Sequence, residues 1–126
     1  MAIIGIGTDI IEIVRIEKQL AKSERLAQRI LTESEFAVFS AHAYPARFLA
    51  KRFAAKEAAV KAIGTGIGNG ISWQHIEISN LESGQPVITF NGHFASLCEA
   101  RGINSSFISL SDEQHYAVAT VILEAS

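Results

Sequence analysis

Arg52-Phe53-Ala54-Ala55-Lys56-Glu57-Ala58-Ala59-Val60-Lys61-Ala62-Ile63-Gly64-Thr65-Gly66 is the stretch that decides how this chain is read. Alanine fills it, Phe53, Val60 and Ile63 give it an apolar stripe, and Gly64 stands where a helix C-terminal cap belongs, so it reads as helix. The same helix carries Arg52, Lys56, Glu57 and Lys61. Glu57 and Lys61 are one turn apart, which sets a carboxylate and an ammonium on one face. Ala54 and Ala58 leave room for a large ligand near the backbone. An acid for a cation, a base for phosphate oxygens and little bulk between them is the combination a metal with a polyphosphate requires.

Outward from that helix, the order of elements sets the fold class. Ala2 to Ile11 is β-branched and glycine-punctuated and reads as a strand with Asp9 near its end. Glu12 to Ile30 reads as helix with a break near Ser23. Thr32 and Glu35 match a capping box that opens a short helix through Phe39, and Pro45 opens the long helix through Ile63. Gly64 to Gly70 is a glycine-rich loop. Ile76–Ile78 and Val87–Phe90 alternate as strands around a Ser83-Gly84 turn. Asn91 is placed to cap a helix ending at Gly102. Phe107–Leu110 and Tyr116–Leu123 form a last hairpin. The expectation is α+β, a mostly antiparallel sheet packed against a long helix, in one domain over residues 1–126.

Composition excludes several classes. At 126 residues, 48% hydrophobic and 19% charged, the chain is an ordinary globular domain with a modest core. A net charge of -2 argues against a nucleic-acid partner. No apolar run reaches membrane-spanning length, and the first residues lack the basic region of a secretion signal. The single cysteine, Cys98, sits in a helical pattern as a buried structural thiol and fits a reducing, cytoplasmic compartment. His42, His75, His93 and His115 show no metal-ligand spacing. Trp73 and Phe94 read as packing residues. A small domain with this much apolar sheet is expected to self-associate.

Charge is uneven along the chain. Arg15, Lys18, Lys22, Arg25 and Arg29 recur against Glu12, Glu17 and Glu24. Two readings stand: a basic surface for an acidic partner, or a solvated face laced with salt bridges. Asp9 also has two. It is a metal ligand, or it is the N-cap of the helix that starts near Ile11. With Glu57 present the ligand reading gains, because magnesium takes one or two protein carboxylates and completes its shell with water and substrate phosphate. Gly5-Ile6-Gly7 lacks the third glycine of a dinucleotide fingerprint and is rejected as one. Gly64-Thr65-Gly66 could present amides and a hydroxyl to phosphate, or could simply be a turn.

Gly5-Ile6-Gly7-Thr8-Asp9-Ile10, together with Arg47 through Ala62 and its Phe-x-x-Lys-Glu-x-x-x-Lys signature, resembles the holo-acyl-carrier-protein synthase family, the small stand-alone 4′-phosphopantetheinyl transferases. The last hairpin is similar too, so the resemblance spans essentially the whole chain. It implies transfer of the 4′-phosphopantetheine arm of coenzyme A to a serine of apo acyl carrier protein, with release of adenosine 3′,5′-bisphosphate, in support of fatty acid biosynthesis. It implies a homotrimer with active sites at subunit clefts. By that resemblance Asp9 and Glu57 hold magnesium, Lys61 meets the coenzyme A phosphates, Gly64 and Thr65 lie along the coenzyme, and Arg15 docks the carrier protein. Beside Lys61, Arg52 or Lys56 is a candidate for further positive charge at the phosphates. The proton acceptor stays open between Glu57, Asp9 and a water on the metal. The sequence departs from the family at Asp112, where many relatives place a histidine on the 3′-phosphate; His115 is a candidate replacement. A metal-free acyl-coenzyme A transferase and a non-catalytic binding module are the competing classes.

Overall fold

The structure, a computed structural model, describes all 126 residues. The chain runs through strand β1 (Ala2–Glu12), helices α1 (Ile13–Lys22), α2 (Arg25–Ile30), α3 (Glu33–Ala41) and α4 (Pro45–Ile63), strands β2 (Ile76–Asn80) and β3 (Pro86–Phe90), helix α5 (Gly92–Ala100), and strands β4 (Ile103–Asp112) and β5 (Tyr116–Ala125). A three-stranded antiparallel sheet has the order β1-β5-β4, and β2 and β3 form a separate antiparallel hairpin. This is the α+β arrangement expected, with the sheet laid against the long helix.

Period-two patterning divides the sheet. Ala117, Ala119, Val121 and Leu123 of β5 are fully buried and face α4. Opposite them on β1 stand Leu123's partner Gly5, Val121's partner Gly7 and Ala119's partner Asp9. Strand β1 meets α4 through two glycines. A Cβ on Gly5 would fall inside the carbonyl oxygen of Ala62, and one on Gly7 inside that of Ala58. Two strand residues advance about 6.6 Å and four helix residues about 6 Å, so the two elements stay in step. Gly5 rests on Ala62, Gly7 on Ala58, and Asp9 arrives one helical turn further back. The glycines that mimic a nucleotide fingerprint are there to bring strand and helix together.

The core has two parts. The larger lies between α4 and the sheet and is built on Ala54, Ala55, Ala58, Ala59 and Ile63 with Val121 and Leu123. Phe94 of α5 is fully buried in it and stacks on Phe90 at 4.3 Å; burying a ring of this size contributes roughly 1.5–3 kcal/mol. The smaller part joins α1, α2 and α3 to the start of α4 through Ile13, Ile16, Ile30, Phe39, Phe48 and Leu49. Cys98 is buried, and burial pushes its thiol up from the usual value.

The capping expectations divide. Thr32 and Glu35 form the capping box of α3. Pro45 occupies the first turn of α4, and Gly64 ends it in the left-handed region at φ 85°. Asn91 stands at the N-cap of α5, yet its side chain makes no cap bond; its amide donates to the Gln74 carbonyl instead. Strands β4 and β5 run longer than the apolar alternation suggests, because Ser105, Ser106, Ser109 and Ser111 pair in the ladder.

Candidate active site

Asp9, Glu57 and Lys61 converge where β1 crosses α4. Lys61 Nζ donates to Asp9 Oδ1 at 2.9 Å and to the Thr8 carbonyl at 3.1 Å. Helical side chains lean toward the helix N-terminus, which carries the Lys61 ammonium back to the level of Glu57. Burial first, and then the nearby Asp9 carboxylate, raise Glu57 above the usual glutamate value, against the pull of Lys61. Two carboxylates close enough to repel, with one ammonium bonded to Asp9 and attracting Glu57, define the centre.

Asp9 is not a helix cap. The N-cap of α1 is Glu12, three residues on, and no side chain caps that helix. Asp9 Oδ2 is buried and lacks any hydrogen-bond partner. A buried carboxylate oxygen without a partner, on a group that repels a second carboxylate nearby, is costly unless a cation meets it. The donor set is hard oxygen, suited to magnesium, and with only two carboxylates most of an octahedron is left to water and substrate. The residues fit the ion.

Arg52 and Lys56 do not join this centre. Lys56 is completely buried; its ammonium donates to Glu35 Oε1 and to the Ile30 carbonyl, both at 2.6 Å, and to the Trp73 carbonyl at 3.3 Å. The expectation that Lys56 supplies charge to phosphate is therefore corrected: its charge is spent on Glu35 inside the fold. Arg52 lies on the far side of α4, its guanidinium 4.6 Å from the Phe48 ring centroid and 3.0 Å from Asn80 Oδ1. Its Nε is buried without a partner. Arg52 lines a cavity of 630 Å3 with Arg47, Lys51, Asn80 and Pro86, whose lining excludes Asp9, Glu57 and Lys61.

Sequence reasoning missed the ion cluster on the rim of that cavity. Asp112 takes Arg47 at 2.8 Å and Lys51 at 3.2 Å. Burial alone would raise the Asp112 carboxyl; the bonds and charges of Arg47 and Lys51 outweigh it and hold the group below its usual value. Arg47 also donates to the Glu113 and Gln114 carbonyls, which straps the β4–β5 turn to α4. Spacing of Arg47 and Lys51 by one helical turn was the available signal; which acid they meet depended on the tertiary fold. Gly64 and Thr65 follow α4 directly, and the Thr65 hydroxyl donates only to the adjacent Gly66 carbonyl.

Beside Asp9, a hollow of 410 Å3 opens between the end of β1, α1 and α2, lined by Ile10, Arg15, Ile16, Leu26, Arg29 and Phe53. Arg15 meets Glu12 at 3.6 Å and is largely exposed; Lys18, Lys22, Arg25 and Arg29 form no ion pair. A face laced with salt bridges is not what forms. Of these cations Arg15 and Arg29 line the hollow.

The ACPS model of the 4′-phosphopantetheinyl transferase superfamily matches residues 5–121. The chain is 69% identical over 125 residues to the holo-[acyl-carrier-protein] synthase of Pseudoalteromonas atlantica, covering 99% of each chain. Its fold is similar to the crystal structure of that synthase from Neisseria meningitidis, with a TM-score of 0.90 and 40% identity over 98% of this chain and 99% of the other. It is also similar to the Bacillus anthracis synthase solved in complex with CoA (3′,5′-ADP), with a TM-score of 0.81 and 41% identity over 98% of both. The chain thus belongs to the 4′-phosphopantetheinyl transferase superfamily, among its holo-[acyl-carrier-protein] synthases.

Proposed function

We propose that the chain transfers the 4′-phosphopantetheine arm of coenzyme A to a serine of apo acyl carrier protein, in a magnesium-dependent reaction of the cytoplasm that supports fatty acid biosynthesis. The observation that carries this reading is the meeting of Asp9, Glu57 and Lys61 on a chain of this family. The serine oxygen forms a bond to the β-phosphorus of coenzyme A. The bond from that phosphorus to the bridging oxygen breaks, and adenosine 3′,5′-bisphosphate leaves with the electron pair. Positioning and charge stabilisation dominate such a transfer. Asp9 and Glu57 would hold magnesium, which supplies charge neutralisation at the pyrophosphate. Lys61 adds a positive charge aimed at the same oxygens. The serine proton passes to Glu57, to Asp9 or to a water at the metal.

The carrier protein would dock on α1 and α2. Arg15 and Arg29 rim an apolar hollow next to Asp9, which suits an acidic partner with a hydrophobic contact and delivers its serine beside the carboxylates. The outer face of the three-stranded sheet supports a homotrimer. Ile6, Ile10 and Phe107 stand there at 62%, 60% and 54% exposure, on the side away from α4. Arg52, on the Arg47 and Lys51 side of α4, and Gly64 and Thr65, at its C-terminal end, would contact the coenzyme.

Incubating the protein with apo carrier protein, coenzyme A and magnesium, then weighing the carrier intact, tests the activity. The carrier gains the mass of one phosphopantetheine arm, and a chelator prevents the gain. Transfer that persists in chelator would favour a metal-free acyl transferase; no transfer under any condition would favour a binding module.

A further inference from the structure

The Lys61 ammonium occupies one oxygen of the carboxylate that a metal would use. It donates to Asp9 Oδ1 at 2.9 Å, while Asp9 Oδ2 is buried and unpartnered. Its reach continues to the Thr8 carbonyl at 3.1 Å, so two bonds hold it against β1 rather than free in solvent. Half of the side chain is nevertheless exposed, whereas Asp9 is 14% exposed. The lysine can swing outward; the aspartate cannot. No other cation pairs with Asp9, and Glu57 has no ion-pair partner at all. One half-exposed ammonium is the only positive charge paired with Asp9, and it also attracts Glu57.

We infer that Lys61 is an internal counter-cation that occupies the Asp9 carboxylate in the resting protein and is displaced to the substrate pyrophosphate when a divalent ion enters. This deepens the metal reading above and rests on it. An ammonium on Oδ1 and a divalent ion on the same small carboxylate repel each other at contact distance. The resting pair therefore lowers the affinity for metal alone and makes metal and coenzyme bind together: the pyrophosphate gives Lys61 a new partner when it leaves Asp9. The coupling is reciprocal, as any linkage of two ligands must be. Lys61 is then a residue with two positions, set by what fills the site.

The test measures manganese binding to the whole protein by the loss of the free-ion electron paramagnetic resonance signal, with and without coenzyme A, for the wild type, Lys61→Ala, Lys61→Arg and Asp9→Asn. Without coenzyme, Lys61→Ala should bind manganese on the order of tenfold more tightly than the wild type, the effect of removing one positive charge a few ångströms from a divalent ion in a wet site. Lys61→Arg keeps the charge and should stay near the wild type. Lys61→Ala should also bind coenzyme A less tightly and show weaker cooperativity between coenzyme and metal, leaving only the part that the ion's own contact with the pyrophosphate supplies. A manganese affinity in Lys61→Ala equal to or below that of the wild type, or wild-type binding without cooperativity, overturns the inference. The Asp9→Asn arm reports separately on the metal site: if its manganese binding with coenzyme equals that of the wild type, the ligand assignment fails as well. Thermal melts of each variant confirm that the fold is intact.

Discussion

Lys56 and Glu35 form an ion pair that solvent does not reach: Nζ to Oε1 is 2.6 Å, with side-chain exposures of 0% and 2%. Burial pulls the ammonium below its usual value and Glu35 opposes that. Glu35 Oε2 accepts from the Ile78 backbone amide, and Oε1 also closes the α3 capping box. One carboxylate thus joins α3, α4 and β2. Removing either partner leaves an uncompensated buried charge, which costs about 3–5 kcal/mol. Lys56→Ala and Glu35→Ala should each lower the unfolding free energy by that amount, read from equilibrium urea unfolding. A loss under 1 kcal/mol in both would show that the pair does not hold these elements.

Gly7→Ala acts on the site through the backbone. The added methyl meets the Ala58 carbonyl, so β1 must move off α4 and carry Asp9 away from Glu57. Overpacking of this kind costs about 1–3 kcal/mol. The variant should unfold at lower urea and need more magnesium for half-maximal turnover. A magnesium requirement unchanged from the wild type would show that the spacing between β1 and α4 does not set the site.

Asp112 supplies a pH dependence with a definite sign. Its folded carboxyl titrates below the ordinary 3.8, so the ionised form is favoured in the fold. The stability it contributes is complete above 3.8 and is lost as pH falls through the lowered value. Asp112→Asn should therefore be less stable than the wild type at neutral pH, and the two urea midpoints should converge as pH drops below 3.8. A gap that persists unchanged into acid would assign the loss to packing instead of charge.

Arg15→Glu reverses a charge on the rim of the hollow beside Asp9. Carrier-protein KM should rise and its dependence on salt should weaken, while coenzyme A binding is unchanged, as measured by steady-state kinetics at two ionic strengths. Equal loss of both substrates would mean that Arg15 supports the fold and does not dock a partner.

Much of this architecture was legible in the sequence because it is local. The Thr32–Glu35 capping box, Pro45 at a helix start, Gly64 at a helix end and the alternation of β5 are signals carried by neighbouring residues. The convergence of Asp9 with Glu57 and Lys61 was readable only through the family resemblance, since nothing local shows that β1 and α4 run in step. Lys56 was misread for the same reason. One residue from Glu57 along the chain, it turns to the opposite side of α4, and the acid that claims it lies 21 positions away. The Asp112 cluster joins residues 65 apart, and the one-turn spacing of Arg47 and Lys51 could not say which acid they meet.

Crystals of the protein grown with coenzyme A and manganese in place of magnesium, measured for anomalous scattering, test the central claim most directly. The account predicts one manganese peak bridging Asp9 and Glu57, about 2.1 Å from a carboxylate oxygen of each, with Lys61 turned onto the pyrophosphate. A peak bound elsewhere, with the two carboxylates untouched, would contradict it.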